Sequence, residues 1–380
     1  MIYLDNSATT RVLDEAARVA LKYMTDVFFN PSSMYAPAVA VEREIGAARE
    51  RMASMLGAQA NEVYYTGGAT ESNNLAIAGV AGVQRGPRRF ITTRFEHPSV
   101  HEVFLFLQRA GHEVIYLRND SNGYIEPSQL ASLVNERTAL VSVMHVNNEF
   151  GAVQNLAAIS AFIRRANPDT IFHSDGVQAF TKMPFSHIPA DMYSLSGHKF
   201  HAPKGIGALM IRKGVKISAV QLGGGQERGM RSGTTNVPGI LSMDAALSIL
   251  HTNWAQNEAR MRECKLHLAQ GILCIPDTVI NGPSPEQGAP HILNASFMGV
   301  RGEVLLHALE EKGIIVSTGS ACSSNKKGKN RVLEAIGVTG ERAEGAIRFS
   351  LCGANGTKEM DIVTDTLDET VRQLRRYKRR

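Results

Sequence analysis

Ser194-Leu-Ser-Gly-His-Lys-Phe-His-Ala-Pro-Lys-Gly-Ile-Gly207 is the stretch on which the fold and the chemistry turn. It grows out of a short apolar strand, Met192 to Leu195. Ser196, His198 and Lys199 follow in a loop of small residues, and Pro203 and Gly205 lead into a second apolar run, Ile206 to Ile211. Lys199 is therefore expected at a strand end rather than on a solvated helix face. A lysine held there sheds part of its hydration, as an amine must to form a Schiff base with an aldehyde. Taken alone, it reads equally well as a surface lysine in a hairpin, because most of the 41 Lys and Arg residues must be solvated.

Two other stretches change that balance. Asp175 closes the apolar run Thr170-Ile-Phe-His-Ser-Asp175, and a buried carboxylate at a strand end needs a cationic or hydrogen-bonding partner. Val63-Tyr-Tyr-Thr-Gly-Gly-Ala-Thr-Glu-Ser-Asn-Asn74 reads as a strand, a Gly-Gly turn and the start of a helix. Backbone N–H groups and the Thr70 hydroxyl would stand ready there for a phosphate. A Schiff-base lysine, an aspartate for a pyridinium nitrogen and a phosphate cup are what a protein must supply to pyridoxal 5'-phosphate.

Around these stretches, strand and helix alternate. Val63–Thr66 leads to a helix over 69–80, Phe90–Thr93 to one over 97–109, and Val114–Leu117 to one over 127–134. Leu140–Val146 then leads to a helix over 159–165, before Ile171–Asp175. Such alternation predicts an α/β fold with a mostly parallel central sheet flanked by helices, whose ligands bind beyond the strand ends. Two helices come first: Val12 to Met24, then a longer one with Val41, Ile45, Ala48, Met52 and Met55 on one face and Gly57 as its stop. From about Ile240 to Gln270 the chain reads as helix interrupted near Trp254. The domain boundary is placed in that helix, giving a large domain over 13–253 and a smaller α+β domain over 254–380. The latter carries strands at Ile292–Phe297, Ile314–Ser317 and Ala346–Ser350. Helices are expected over 303–311 and at the end, with Ile362, Thr366, Leu367, Val371 and Leu374 on one face.

At 380 residues with 43% hydrophobic content the chain suits two domains, and the net charge of +5 suits anionic ligands without requiring nucleic acid. The basic end, Arg372 to Arg380, reads as a solvated helix terminus. No basic-then-apolar leader opens the chain and no apolar run approaches the ~20 residues a bilayer span needs, so neither a signal peptide nor membrane association is expected. Cysteines 264, 274, 322 and 352 form no Cys-x-x-Cys pair, which predicts no metal site, no disulfide scaffold and a reduced, cytoplasmic setting.

In collinear order the chain carries Gly-Gly-Ala-Thr-Glu-Ser-Asn-Asn (67–74), Glu-His (96–97), Asn-Asn-Glu (147–149) and Asp-Gly-Val-Gln (175–178). Ser-Gly-His-Lys (196–199), Arg-Ser-Gly-Thr (231–234) and Gly-Ser-Ala-Cys (319–322) follow. These motifs resemble the NifS/IscS-type cysteine desulfurases of the class V aminotransferase group, and the likeness runs from Tyr3 to Ser350. It implies a homodimeric fold-type I pyridoxal phosphate enzyme whose residues 1–12 join the small domain. It also implies desulfuration of L-cysteine to L-alanine, with sulfur passed to an acceptor protein such as an iron–sulfur scaffold or a thiolation protein.

The resemblance assigns roles residue by residue. Lys199 carries the cofactor and His97 stacks on its ring and moves protons, where a lone histidine at a helix start is otherwise structural. Asp175 meets the ring nitrogen. Asn148 and Gln178, by default loop-satisfying amides, bind the phenolic oxygen. Ala69, Thr70, Ser196 and His198 belong to the phosphate cup, and Thr234 reaches the partner subunit's phosphate. The glycine-rich run 223–234 lacks the Gly-Lys-Ser/Thr ending of a P-loop. Arg348, on an apolar strand, is either half of a buried ion pair or, as the resemblance implies, the grip on the substrate carboxylate, with Asn148 beside it. Cys322 lies in a basic, glycine-bearing segment, where nearby lysines favour a nucleophilic thiolate. Cys264, Cys274 and Cys352 read as inert.

Three positions depart from the family pattern. Gly176 stands in place of a frequent alanine, Tyr35 in place of histidine, and Leu351-Cys-Gly in place of Leu-Gly-Arg. The chain also lacks the C-terminal extension with which some members dock a scaffold, leaving the acceptor open. A selenocysteine or other β-eliminating lyase would share the fold and Lys199. A cofactor-binding sulfur-relay protein that turns over poorly without a partner is a third reading.

Overall fold

The computed structural model describes residues 1–184, 187–318 and 330–378, with side chains to 376. The chain opens with β1 (Ile2–Tyr3) and the helices Asp14–Thr25 and Ala36–Met55. The following alternation supplies β2 (Val63–Thr66), β3 (Arg89–Thr93), β4 (Glu113–Leu117), β5 (Thr138–Ser142), β6 (Ile171–Asp175), β7 (Met192–Ser196) and β8 (Gly207–Ile211). They form one sheet in the order β2-β8-β7-β6-β5-β3-β4.

Pairings from β7 through β6, β5 and β3 to β4 are parallel, and β8 runs antiparallel to both its neighbours. β8 reverses because it returns from β7 through residues 197–206, too short a connection for a crossover helix. β2 therefore runs parallel to β7, and the carboxyl ends of β2, β3, β5, β6 and β7 share one edge of the sheet. Every residue of β5, β7 and β8 is buried, as strands covered on both faces require.

The remaining strands are β9 (Thr278–Ile280), β10 (Ile292–Phe297), β11 (Ile314–Ile315) and β12 (Ala346–Ser350). The order β12-β10-β9 makes an antiparallel sheet, and β1 pairs with β11 in parallel, Ile2 opposite Ile314. Leu4 thereby joins an apolar core with Leu268, Leu293, Phe349, Leu367 and Val371, separate from the core beneath the large sheet.

Several expected bounds shift for identifiable reasons. The helix expected from 97 starts at Pro98, with His97 as its N-cap accepting from Ser99 N. β5 stops at Ser142, and the Pro127–Val134 segment splits into a 3₁₀ turn and the short helix Leu130–Leu133. The long helical run breaks at Asn253, between Val237–Thr252 and Trp254–Leu273. Ser317 meets Arg348 through a bridge beyond the end of β11. On the final helix, Thr357–Lys378, the buried stripe is Met360, Val363, Leu367, Thr370 and Val371, whereas Ile362 is 55% exposed. Leu367, Val371 and Leu374 pack as expected, whereas Ile362 falls off the 3–4 spacing that Met360, Val363 and Leu367 establish, so the face departs at its start.

The two positions give a direct contrast. Leu367→Ala should cost about 2–5 kcal/mol in urea unfolding, as cavity formation in a packed core does. Ile362→Ala should stay within about 0.5 kcal/mol.

Candidate active site

A cavity of about 760 Å³ opens at the carboxyl edge of the large sheet. Each strand that ends there delivers a functional group. Beyond β2, Gly67 and Gly68 turn the chain into the Ala69–Gly82 helix, whose first N–H groups have no side-chain cap. Gly68 takes φ +147°, open in practice only to glycine, and a Cβ on Gly207 would meet Leu195 O at 2.5 Å and Gly68 Cα at 2.6 Å. The glycines thus let the turn lie directly on β8. Glu71 accepts from Gly67 N at 2.9 Å and from Arg231 Nε at 2.9 Å, so its charge at this helix start is neutralised while the turn is fixed. Ala69, Thr70, Ser196 and His198 line the same end of the cavity.

Asp175 ends β6 with its carboxylate buried. Oδ1 accepts from Val177 N at 3.0 Å and Oδ2 from Asn73 Nδ2 at 2.8 Å. Asn73 Nδ2 also reaches Ser99 Oγ at 2.9 Å, and Ser99 Oγ lies 2.8 Å from His97 Nδ1. A single hydrogen-bonded chain therefore fixes the ring of His97 relative to the carboxylate. His97 Nδ1 accepts from Ser99 N at 3.1 Å, which assigns the ring proton to Nε2. Burial lowers the His97 pKa below its ordinary value, with Asp175 opposing, and burial holds His198 at about 4. Both imidazoles are neutral near pH 7.

Lys199 follows β7 in the 3₁₀ turn Gly197–Lys199. Its Nζ donates to Ser7 O and Ala8 O, each at 2.7 Å, and Gln178 Nε2 donates to Ser7 O at 3.0 Å. Arg348, on β12, donates through Nη2 to Asp5 Oδ1 at 2.7 Å and through Nη1 to Asn148 O at 3.1 Å. The N-terminal residues 5–8 thus strap across both cations, pinned by Ser7 N to Ser350 Oγ at 2.8 Å. Arg348 is in a buried ion pair with Asp5, as one of its two readings has it, and it also lines the cavity. Arg348 Nε, Asn148 Oδ1 and Ser7 Oγ are buried without a hydrogen-bond partner.

Lys199, His97, Asp175, Asn148, Gln178 and Arg348 all border this one cavity. Thr234 does not: it lines a smaller cavity with Arg231 and Gly205. Cys322 lies outside the described residues, yet Ser317 and Thr318, which lead towards it, line the main cavity. On the far side of that segment, Asn330 Nδ2 donates to Glu149 Oε2 at 2.7 Å, and burial raises the pKa of Glu149. Asn73 and Glu149 sit inside motifs already quoted and Asp5 just after β1, but nothing in their residue type singled them out. Their parts depend on contacts across 343, 102 and 181 residues.

Two departures have structural reasons. A Cβ on Gly176 would lie inside the buried ring of Tyr193, whose hydroxyl bonds His145 Nδ1 at 2.8 Å. Tyr35 packs edge-on to Phe29 at a helix start and does not border the cavity.

The sequence profile of class-V aminotransferases matches residues 2–363. The cysteine desulfurase IscS of Methanosarcina thermophila is 40% identical over 377 residues, covering 98% of this chain and 93% of that protein. The IscS of Photorhabdus laumondii is 41% identical over 382 residues, covering 98% and 93%. Among solved structures, a NifS-like protein superposes with a TM-score of 0.91 at 36% identity, covering 97% of this chain and 99% of its own. SspA in complex with cysteine superposes with a TM-score of 0.81 at 31% identity, covering 92% and 99%. The chain belongs to the class-V aminotransferases, in the branch of the NifS- and IscS-type cysteine desulfurases.

Pyridoxal phosphate is the cofactor of this family and of this chain. The cavity fits it. An uncapped helix start beside Ser196 Oγ, 3.6 Å from where a Gly68 Cβ would stand, suits a phosphate, and the doubly held Asp175 suits a protonated ring nitrogen.

Glu96, next to His97, is fully buried: Oε1 accepts from Met144 N and Thr93 Oγ1, and Oε2 has no partner. Burial pushes its pKa up from 4.5 to about 8. Between those values the unfolded chain has released a proton that the folded chain retains, so stability falls as pH rises. Urea midpoints should therefore drop from pH 5 to pH 8 more in the native protein than in Glu96→Gln. Equal slopes would place Glu96 in a more polar setting.

Proposed function

We propose that this chain is a pyridoxal phosphate-dependent cysteine desulfurase that converts L-cysteine to L-alanine and collects the sulfur as a persulfide on Cys322. The reading is carried by the convergence of Lys199, Asp175 and Arg348 on one cavity that the approach to Cys322 also borders. In it, Thr70, Ser196 and His198 hold the phosphate with the backbone of Ala69, Asn148 and Gln178 bind the phenolic oxygen, and Thr234 serves the neighbouring subunit's site. Bound pyridoxal phosphate supplies an aldehyde and a ring that draws electrons from the substrate α-carbon.

The chain's own groups do the rest. Arg348 takes the substrate carboxylate, the Asp5 carboxylate giving way to it, and Asn148 flanks the bound substrate. Lys199 would hold the cofactor at its aldehyde and, with neutral His97, would be the group to carry the α-proton. Asp175 holds a positive charge on the ring nitrogen. The Cys322 thiolate attacks the substrate sulfur; the S–S bond forms as the C–S bond breaks, the bonding pair stays with carbon, and protonation gives alanine. One cysteine and one enzyme thiol become one alanine and one persulfide.

We infer a cytoplasmic homodimer. Thr234 stands away from its own chain's cavity, and Phe28 and Met34 leave 69% and 98% of their surfaces exposed near Tyr35, apolar area that suits a second subunit. An iron–sulfur scaffold or a thiolation protein would accept the sulfur. Among the described residues no helix is long and apolar enough to cross a membrane.

Cys322→Ala should retain the absorbance of bound cofactor and lose alanine formation by a factor of at least about 10³, as removal of a nucleophile does. Arg348→Lys should raise KM for cysteine more than it lowers kcat, because it weakens a bidentate grip. Full sulfur transfer by Cys322→Ala would overturn the persulfide assignment, and pyruvate with free sulfide as products would make the protein an eliminating lyase. Light scattering should give twice the chain mass.

A further inference from the structure

Lys199 borders a second cavity of about 280 Å³, between the turn at Thr181 and Lys182, the start of the Trp254–Leu273 helix and the segment 351–354 that follows β12. Against an apolar part of its lining stand the basic side chains of Lys182, Lys199 and Arg260 and the amides of Asn253 and Asn257, with His201 kept neutral by burial, and among the described residues no Asp or Glu borders it. A cavity of that character lacks an acceptor of negative charge.

Lys182 makes the deficit specific. Its side chain is only 6% exposed, and its one hydrogen bond runs from Nζ to the neutral Gln178 Oε1 at 2.9 Å. An ammonium has three donors, so among the described residues two lack a protein acceptor and no carboxylate pairs with it. Burial pulls its pKa down to about 7, and the nearby Lys199 and Arg348 act in the same direction. The amine is therefore poised between its neutral and charged forms near pH 7, and an anion in the cavity would favour the charged one. One wall depends on a glycine, since a Cβ on Gly353 would strike the Asn257 side chain and push the 351–354 segment away from it.

We propose that this cavity is a binding site for a small oxyanion or carboxylate, held by Lys182 and Asn257 inside and by Arg260 at the exposed mouth. The site is joined to the main cavity through Gln178. Its Oε1 receives Lys182, while its Nε2 donates to Ser7 O, the carbonyl that also receives Lys199. An anion that draws Lys182 away leaves Gln178 Oε1 with His291 Nε2, 3.3 Å away, as its partner and frees that oxygen to shift, so occupancy here and ligand binding in the main cavity are coupled, each altering the other's affinity by the same factor.

The test uses the pyridoxal phosphate-loaded enzyme, so that the phosphate cup is already filled, and reads binding rather than turnover. Sulfate and malonate are titrated separately, against sodium chloride at matched ionic strength, by calorimetry and by thermal unfolding. One of them should bind saturably and raise the melting temperature beyond the chloride control. Response to sulfate alone identifies an inorganic oxyanion as the ligand class, and response to malonate alone an organic carboxylate. Lys182→Met should weaken that binding by about tenfold or more, the worth of a charge-assisted hydrogen bond. Arg260→Gln, an exposed change that leaves the interior intact, should weaken it in the same direction. Arg348→Lys should leave it unchanged. No saturable binding beyond chloride overturns the proposal. So does binding that survives both Lys182→Met and Arg260→Gln, or binding lost with Arg348→Lys, which would place the anion in the main cavity.

Discussion

A carboxylate buried at the end of a parallel strand is the constraint from which the rest of the site follows. Both oxygens of Asp175 are served there, by Val177 N and Asn73 Nδ2, and Asn73 in turn must sit on a helix that starts within reach of β6. The same amide ties Ser99, and through it His97, so one buried charge sets the positions of three elements beyond β2, β3 and β6. The parallel sheet supplies the common edge that makes this possible.

On the opposite wall the cations are managed by the N-terminus. Residues 5–8 reach Lys199 through two carbonyls and Arg348 through Asp5, and are themselves held by β12. Carbonyls and a single carboxylate offer enough to order both side chains and little enough to be exchanged for a ligand. In the proposed reaction the substrate would replace one carboxylate with another at Arg348, which would preserve charge balance in a buried setting. The second cavity shows what happens where no such partner exists: Lys182 is left on a neutral amide.

Much of this was legible in the chain. The strand-turn-helix of residues 63–74, the strand ending in Asp175 and the hairpin around Lys199 fall where period and punctuation put them, because each is a local pattern. What was not legible depends on distant contact. Arg348 on its apolar strand calls for a carboxylate, but nothing in the sequence names Asp5, 343 residues away, as that carboxylate. The departure at the start of the last helix had the same origin: Ile362 is as apolar as Val363, and only packing against the second core decides which one is buried. Gly176 gained its reason only once Tyr193, from the neighbouring strand, was seen to fill its side-chain space.

The central claim is that one cavity breaks the C–S bond of cysteine and hands the sulfur to Cys322. The most direct measurement is anaerobic incubation of the loaded enzyme with L-cysteine, following alanine by amino-acid analysis and the mass of the Cys322 peptide. Alanine formed together with added sulfur on Cys322 is the predicted result. Pyruvate and free sulfide, with the Cys322 peptide unchanged, would contradict it.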